Sequence, residues 1–235
     1  MMLPRLARAS FLPFWLAIGF LVTGCVLAQQ PDATPARVSF HFERPGLIVP
    51  RFTLSINEDG SGSYQAEQVF QPQGAREVSA AASQHIERAL TLSKPTVEKI
   101  FELTRVLDRF HIPCESNVKN IADTGAKTFT YTGTGGDGSC VFNYSENKSV
   151  TALTDIFQGI AYTLDLGRKL DFDHRFDRLG LDEDMANLVD ASAQGRALEL
   201  GTIARTLHSL SVDPDVLARV RLRASTLLER FPAAN

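Results

Sequence analysis

The chain has 235 residues, of which 44% are hydrophobic and 22% charged, and its formal net charge is −3. That is ordinary globular composition, long enough for one sizeable core or a core with a small appendage. A mildly acidic body gives no electrostatic reason to bind nucleic acid or an anionic membrane surface, so a nucleic-acid partner is excluded from the expectation.

The first segment reads as an export signal and not as part of the fold. Arg5 and Arg8 form a positive leader, no charge follows from Ala9 to Pro31, and the stretch from Phe11 to Val22 is apolar. Two endings fit. Val26, Leu27 and Ala28 before Gln29 suit a small-residue cleavage site, which sets the signal at residues 1–28. Leu21-Val22-Thr23-Gly24-Cys25 resembles the lipobox of bacterial lipoproteins, and that resemblance implies a lipid on Cys25. An uncleaved anchor is the plainer alternative, weakened by Pro13, Gly19 and Gly24. Contact with a membrane is expected only through this signal or lipid. Residues 29–36, polar and proline-flanked, read as a tether.

From Arg37 the pattern has period two. Val38, Phe40 and Phe42 alternate with Ser39 and His41, and Phe52, Leu54 and Ile56 alternate with Thr53 and Ser55, which predicts two strands. Asn57-Glu58-Asp59-Gly60 is a turn signal between the second strand and a third over 62–70. A fourth strand over 85–92 competes with a helix started by the preceding alanines. Pro95–Phe110 reads as a helix capped by Ser93, with Val97, Ile100, Phe101, Leu107 and Phe110 on one face.

Lys127–Thr132 and Cys140–Tyr144 then flank a glycine-rich turn and predict a hairpin. Phe129 and Tyr131 share one face of its first strand, and Thr128, Thr130 and Thr132 share the other. The chain has three cysteines. Removal or lipidation of Cys25 leaves Cys114 and Cys140, and an oxidising compartment favours a disulfide between them over two buried thiols. A second helix is expected from Val150 to Lys169. Strands then a helix, and a hairpin then a helix, predict an α+β domain over 37–170, an antiparallel sheet with helices packed on one face. Residues 171–235 form a helical C-terminal segment: a charged connector over Asp171–Leu181, then helices over 183–193, 196–210 and from Asp213 to Phe231.

The chemistry-bearing patterns are sparse. Asp171, Asp173, His174 and Asp177 are the best candidate for a metal or an acid–base pair, set against a solvated connector with ion pairs to Arg175 and Arg178. The turn at Asn57–Gly60 fails a calcium loop at both ends, where Ser55 and Ala66 stand. Gly133, Gly135, Gly136 and Gly138 precede a strand and not a helix, so a phosphate cradle is not supported. Ser116-x-x-Lys119 and Ser145-x-x-Lys148 lack the companion elements of penicillin-recognising enzymes.

The expectation is therefore a non-enzymatic, exported or lipid-anchored protein of the bacterial envelope, resident in the periplasm, on the outer membrane or outside the cell, that binds an envelope protein or ligand. No cofactor is expected. The contact residues expected are the hairpin tip, Gly135, Gly136 and Asp137, with the threonine face Thr128, Thr130 and Thr132. An exported hydrolase using the Asp171–Asp177 cluster, with a metal, is the alternative. An inhibitor of another exported enzyme is a special case of the first.

Overall fold

The structure is a computed structural model and describes residues 35–70, 82–133 and 135–231. The signal, the lipobox-like segment with Cys25, and all of the tether but Pro35 and Ala36 lie outside the described residues. Among the described residues no helix is long and apolar enough to cross a membrane.

The period-two segments form strands β1 (Arg37–Glu43), β2 (Arg51–Asn57), β3 (Ser61–Phe70) and β4 (Ala82–Thr91), and the hairpin forms β5 (Ala126–Thr132) and β6 (Gly138–Phe142). All pair antiparallel in the order β4-β3-β2-β1-β5-β6. The Asp59-Gly60 turn joins β2 to β3 with Gly60 at φ +86°, a conformation that glycine adopts without steric penalty. Phe40, Leu54, Tyr64 and Phe129 face one side of the sheet and are buried, whereas Val141 of β6 lies on the other face and is exposed. Helices α1 (Lys94–Val106) and α2 (Lys148–Phe176) cover that side, with Ile100, Phe157 and Ile160 fully buried in the same core. This is the expected α+β architecture. The other face carries Ser39, His41, Thr53, Ser55, Thr128 and Thr130, all partly exposed, and two pairs bond across the strands, with Ser39 Oγ 2.9 Å from Ser55 Oγ and His41 Nδ1 2.9 Å from Thr53 Oγ1.

Lys127 departs from this division. It sits in register with Phe129 and Tyr131, so its side chain enters the core side, where Nζ donates to the carbonyls of Asn143 (2.7 Å) and Gly125 (2.9 Å) and to Thr124 Oγ1 (2.9 Å). Burial pushes its pKa down, opposed by the nearby carboxylates of Asp123 and Glu115. A buried ammonium is tolerated because its donors are all taken by oxygen atoms.

The C-terminal part consists of α3 (Leu181–Ala193), α4 (Ala204–Val212) and α5 (Ala218–Arg230), which form a second core with Leu166 and Leu170 of α2. The expected charged connector is not a connector. α2 continues to Phe176, so the boundary placed after residue 170 falls inside a helix. The expected helix over 196–210 is interrupted: Glu199 takes φ +57°, a 3-10 turn follows over Leu200–Ile203, and α4 starts only at Ala204. Asp213 ends α4 and does not begin α5. Asp182 lies inside α3, where Arg219 Nε (2.6 Å) and Arg223 Nη1 (2.9 Å) of α5 meet its carboxylate.

The hydrogen bond from Arg219, with the charges of Arg219 and Arg223, holds the Asp182 carboxyl below the ordinary carboxylate range. A carboxyl depressed in the folded state contributes stability above its unfolded pKa, roughly 4, and loses it as pH falls through the lower folded value. Asp182→Asn is therefore expected to lower thermal stability at pH 7 and to lower it less at about pH 3, below the unfolded value. Equal losses at both pH values would separate this contact from its charge.

Candidate functional site

Among the described residues, polar groups come together in a cleft beside the start of α1 and at the tip of the β5–β6 hairpin. The cleft has a volume of 960 Å³ and runs between the β2–β3 turn at Glu58 and Asp59, the start of α1, and the segment Leu198–Gly201. Its polar wall is already occupied from within. Ser93 precedes α1 but makes no cap bond to its own helix. The Glu199 carboxylate instead accepts from Ser93 N (2.8 Å), Ser93 Oγ (2.6 Å) and Thr96 Oγ1, so a residue 106 positions away supplies the anion that the helix start favours. Glu199→Ala should lower stability by about 2–3 kcal/mol, because charge-assisted bonds are lost and a backbone N–H is left open. Urea unfolding measures it, and a loss below about 0.5 kcal/mol would mean that water replaces the carboxylate freely.

At the hairpin, the helix expected to reach Phe110 stops at Val106. Asp108, Arg109 and Phe110 have φ of 47°, 51° and 69°, three consecutive non-glycine residues in the left-handed region. Each such residue costs roughly 1–2 kcal/mol relative to the right-handed form, somewhat less for Asp. The turn is held by what surrounds it. Phe110 is fully buried and stacks on Phe129, with ring centroids 5.1 Å apart and planes 12° from parallel. The Asp108 carbonyl accepts from His111 N (3.1 Å) and lies 2.7 Å from His111 Nδ1. A few residues on, the Cys114–Cys140 disulfide ties the segment to β6, as expected from the cysteine count.

The turn presses on the hairpin tip. A methyl group at Gly138 would lie 1.9 Å from the Arg109 carbonyl oxygen, and one at Gly135 would lie 2.9 Å from Arg109 Nη2. Gly138 is therefore required by its close approach to backbone, and Gly135, which faces the movable end of the Arg109 side chain, is required by its φ of +102°. The Arg109 guanidinium carbon lies 5.8 Å from the Tyr131 ring centre, and Nη1 donates to the Gly135 carbonyl at 3.2 Å. Asp137 Oδ1 accepts from Gly133 N at 3.3 Å, and Gly136 N donates to the Gly133 carbonyl. Asp108→Gly relieves one left-handed residue without removing a side-chain contact and is expected to raise stability by about 0.5 kcal/mol. Thermal unfolding reports it, and a clear destabilisation would show that the turn is unstrained there.

Of the residues expected from sequence, Gly135, Gly136 and Asp137 thus lie at the tip, and Thr128, Thr130 and Thr132 lie on the exposed sheet face behind it. Thr130 Oγ1 is 3.4 Å from Ser139 Oγ of β6. Arg109, which completes the tip, has no sequence signal of its own.

The Asp171–Asp177 residues are on or just after the last turns of α2 and go separate ways. Asp171 accepts from Thr206 Oγ1 (3.0 Å), Asp173 shares Lys169 with Asp184, His174 Nε2 meets Asp213 (2.6 Å), and Asp177 accepts from Gly180 N (3.2 Å). Burial raises the pKa of Asp173, and the His174 bond lowers that of Asp213. Among the described residues no three side chains of His, Cys, Asp or Glu are gathered so as to hold a metal. The arrangement ties α2 to α3 and to α4 and its C-terminal end.

Compared with family models, curated proteins and solved structures, the chain gives no significant match to any.

Proposed function

We propose that the chain is an exported or lipid-anchored binding module of the bacterial envelope, which contacts its partner through the β5–β6 tip. The observation that carries this reading is the left-handed turn Asp108–Phe110 pressed against the glycines of the tip. Strained backbone persists only where its surroundings over-determine it, and such places concentrate at ligand clamps and recognition sites. Here a buried phenylalanine, a disulfide and a close glycine contact fix one loop conformation in advance. A preformed loop loses little entropy on association. Export is supported by the charge and apolar pattern of residues 1–28, and a disulfide belongs to an oxidising compartment.

The register offers a clean test. Tyr131 pairs with Gly138, so residues 132–137 can be replaced by Asn-Gly, the two-residue connection that antiparallel strands favour. The shortened protein is expected to keep its far-ultraviolet circular dichroism and to lose, at least tenfold, the proteins that the parent captures from an envelope extract. An unchanged captured set would remove the tip as the contact.

A further inference from the structure

We propose that Arg109 is the recognition residue of this tip and that it takes a single carboxylate, flanked by basic residues, on a segment of a partner protein. The inference rests on the reading of the tip as a contact surface and adds the chemistry of what is held there.

An arginine on a free loop spreads over many rotamers, and ordering it opposes binding. Arg109 is ordered beforehand. Its backbone is fixed in the left-handed turn, its guanidinium lies against Tyr131, and one N–H is anchored on the Gly135 carbonyl. Among the described residues its remaining donors make no other hydrogen bond and it has no ion pair, although the side chain is partly exposed. Several other arginines in this fold are committed to acids, Arg51 to Glu67, Arg168 to Asp165, Arg219 and Arg223 to Asp182. A guanidinium fork that is held in place and left without an acid matches one planar carboxylate.

Charge selects among anions. Asp108 precedes Arg109 and Asp137 lies in the same tip, both exposed, and the chain as a whole is acidic. These charges oppose an anionic bilayer or a polyphosphate, which bring several negative charges at once, and tolerate one carboxylate flanked by basic residues.

The test uses the full mature protein labelled with nitrogen-15, the side-chain Nε–H of Arg109 as reporter, and acetyl-Lys-Glu-Lys-amide as probe. A saturable shift at Arg109 is expected. It should weaken at least tenfold with acetyl-Lys-Gln-Lys-amide, and also in Arg109→Lys, which keeps the charge but not the fork. The inference is overturned by the absence of a saturable shift, by equal binding of the glutamine peptide, by equal binding in Arg109→Lys, or by tighter binding of inorganic phosphate than of the probe. Circular dichroism and the shifts of buried amides check that Arg109→Lys is folded, and Arg109→Gln gives a second variant if it is not. A capture experiment separates this claim from the one beneath it. If Arg109→Lys captures the envelope partner as the parent does while the shortened tip does not, the tip remains the contact and the carboxylate claim falls.

Discussion

Phe129→Ala is expected to destabilise the protein by about 4–5 kcal/mol, at the upper end for a buried phenylalanine. Phe129 is fully buried on the core side of β5 and packs against four other rings, those of Phe40, Phe110, Phe142 and Phe157, at centroid distances of 4.9–5.8 Å. Removing the ring withdraws apolar surface from a close-packed site and leaves a cavity that β1, β6 and α2 can close only by moving together. It also removes the aromatic contacts that fix Phe110, so the left-handed turn loses its anchor. A domain of this size has roughly 5–15 kcal/mol in total, so the variant should have a much lowered unfolding midpoint in urea. Phe129→Leu, which keeps most of the volume, should lose less than half as much. A loss below about 1.5 kcal/mol for alanine would mean that the sheet and α2 are not packed at this point.

Reduction of the Cys114–Cys140 bond is the second large effect. The two residues are 26 apart in sequence and both are buried. On the chain-entropy account, opening a loop of that length raises the freedom of the unfolded chain by about 3.5 kcal/mol. The loop contains all of β5, and its two ends bracket Lys127 and the tip. Calorimetry with and without reductant should show the difference, and the double variant Cys114→Ser/Cys140→Ser should reproduce it. The loss should appear also as freer motion of Asp108–His111, visible in side-chain relaxation of Arg109. A reductant effect under 1 kcal/mol would mean that the unfolded chain is already compact in this region.

Strands and their faces were legible because a half-buried sheet writes its burial into alternate residues: Val38, Phe40, Phe42 on one side, Ser39 and His41 on the other. The helices were legible as apolar stripes, but their ends were not. Leu107 and Phe110 continue the spacing of Ile100 and Phe101 and are buried as that spacing requires, yet the backbone between them turns left-handed. Periodicity reports which side chains meet the core and is silent on the path between them. Asp171, Asp173 and His174 look like a solvated connector because charge on one segment shows nothing of its partners. Thr206, Lys169 and Asp213 meet them within α2 and across to its neighbours. Glu199 is the extreme case, since its partners lie at Ser93 and Thr96. At the candidate site the glycines announce the tip, whereas Arg109 becomes visible only when the turn lays it over Gly135.

Helix α2 has 29 residues and is about 44 Å long at 1.5 Å per residue. Val150, Leu153, Phe157, Ile160 and Leu164 belong to the core under the sheet, and Leu166 and Leu170 belong to the core among the last helices. One rod thus serves as the wall of two rooms, and neither room can be opened by bending it. A protease should find no nick site between residues 150 and 176, and slow amide exchange along both ends of the rod should converge on a single opening free energy, the mark of one cooperative unit.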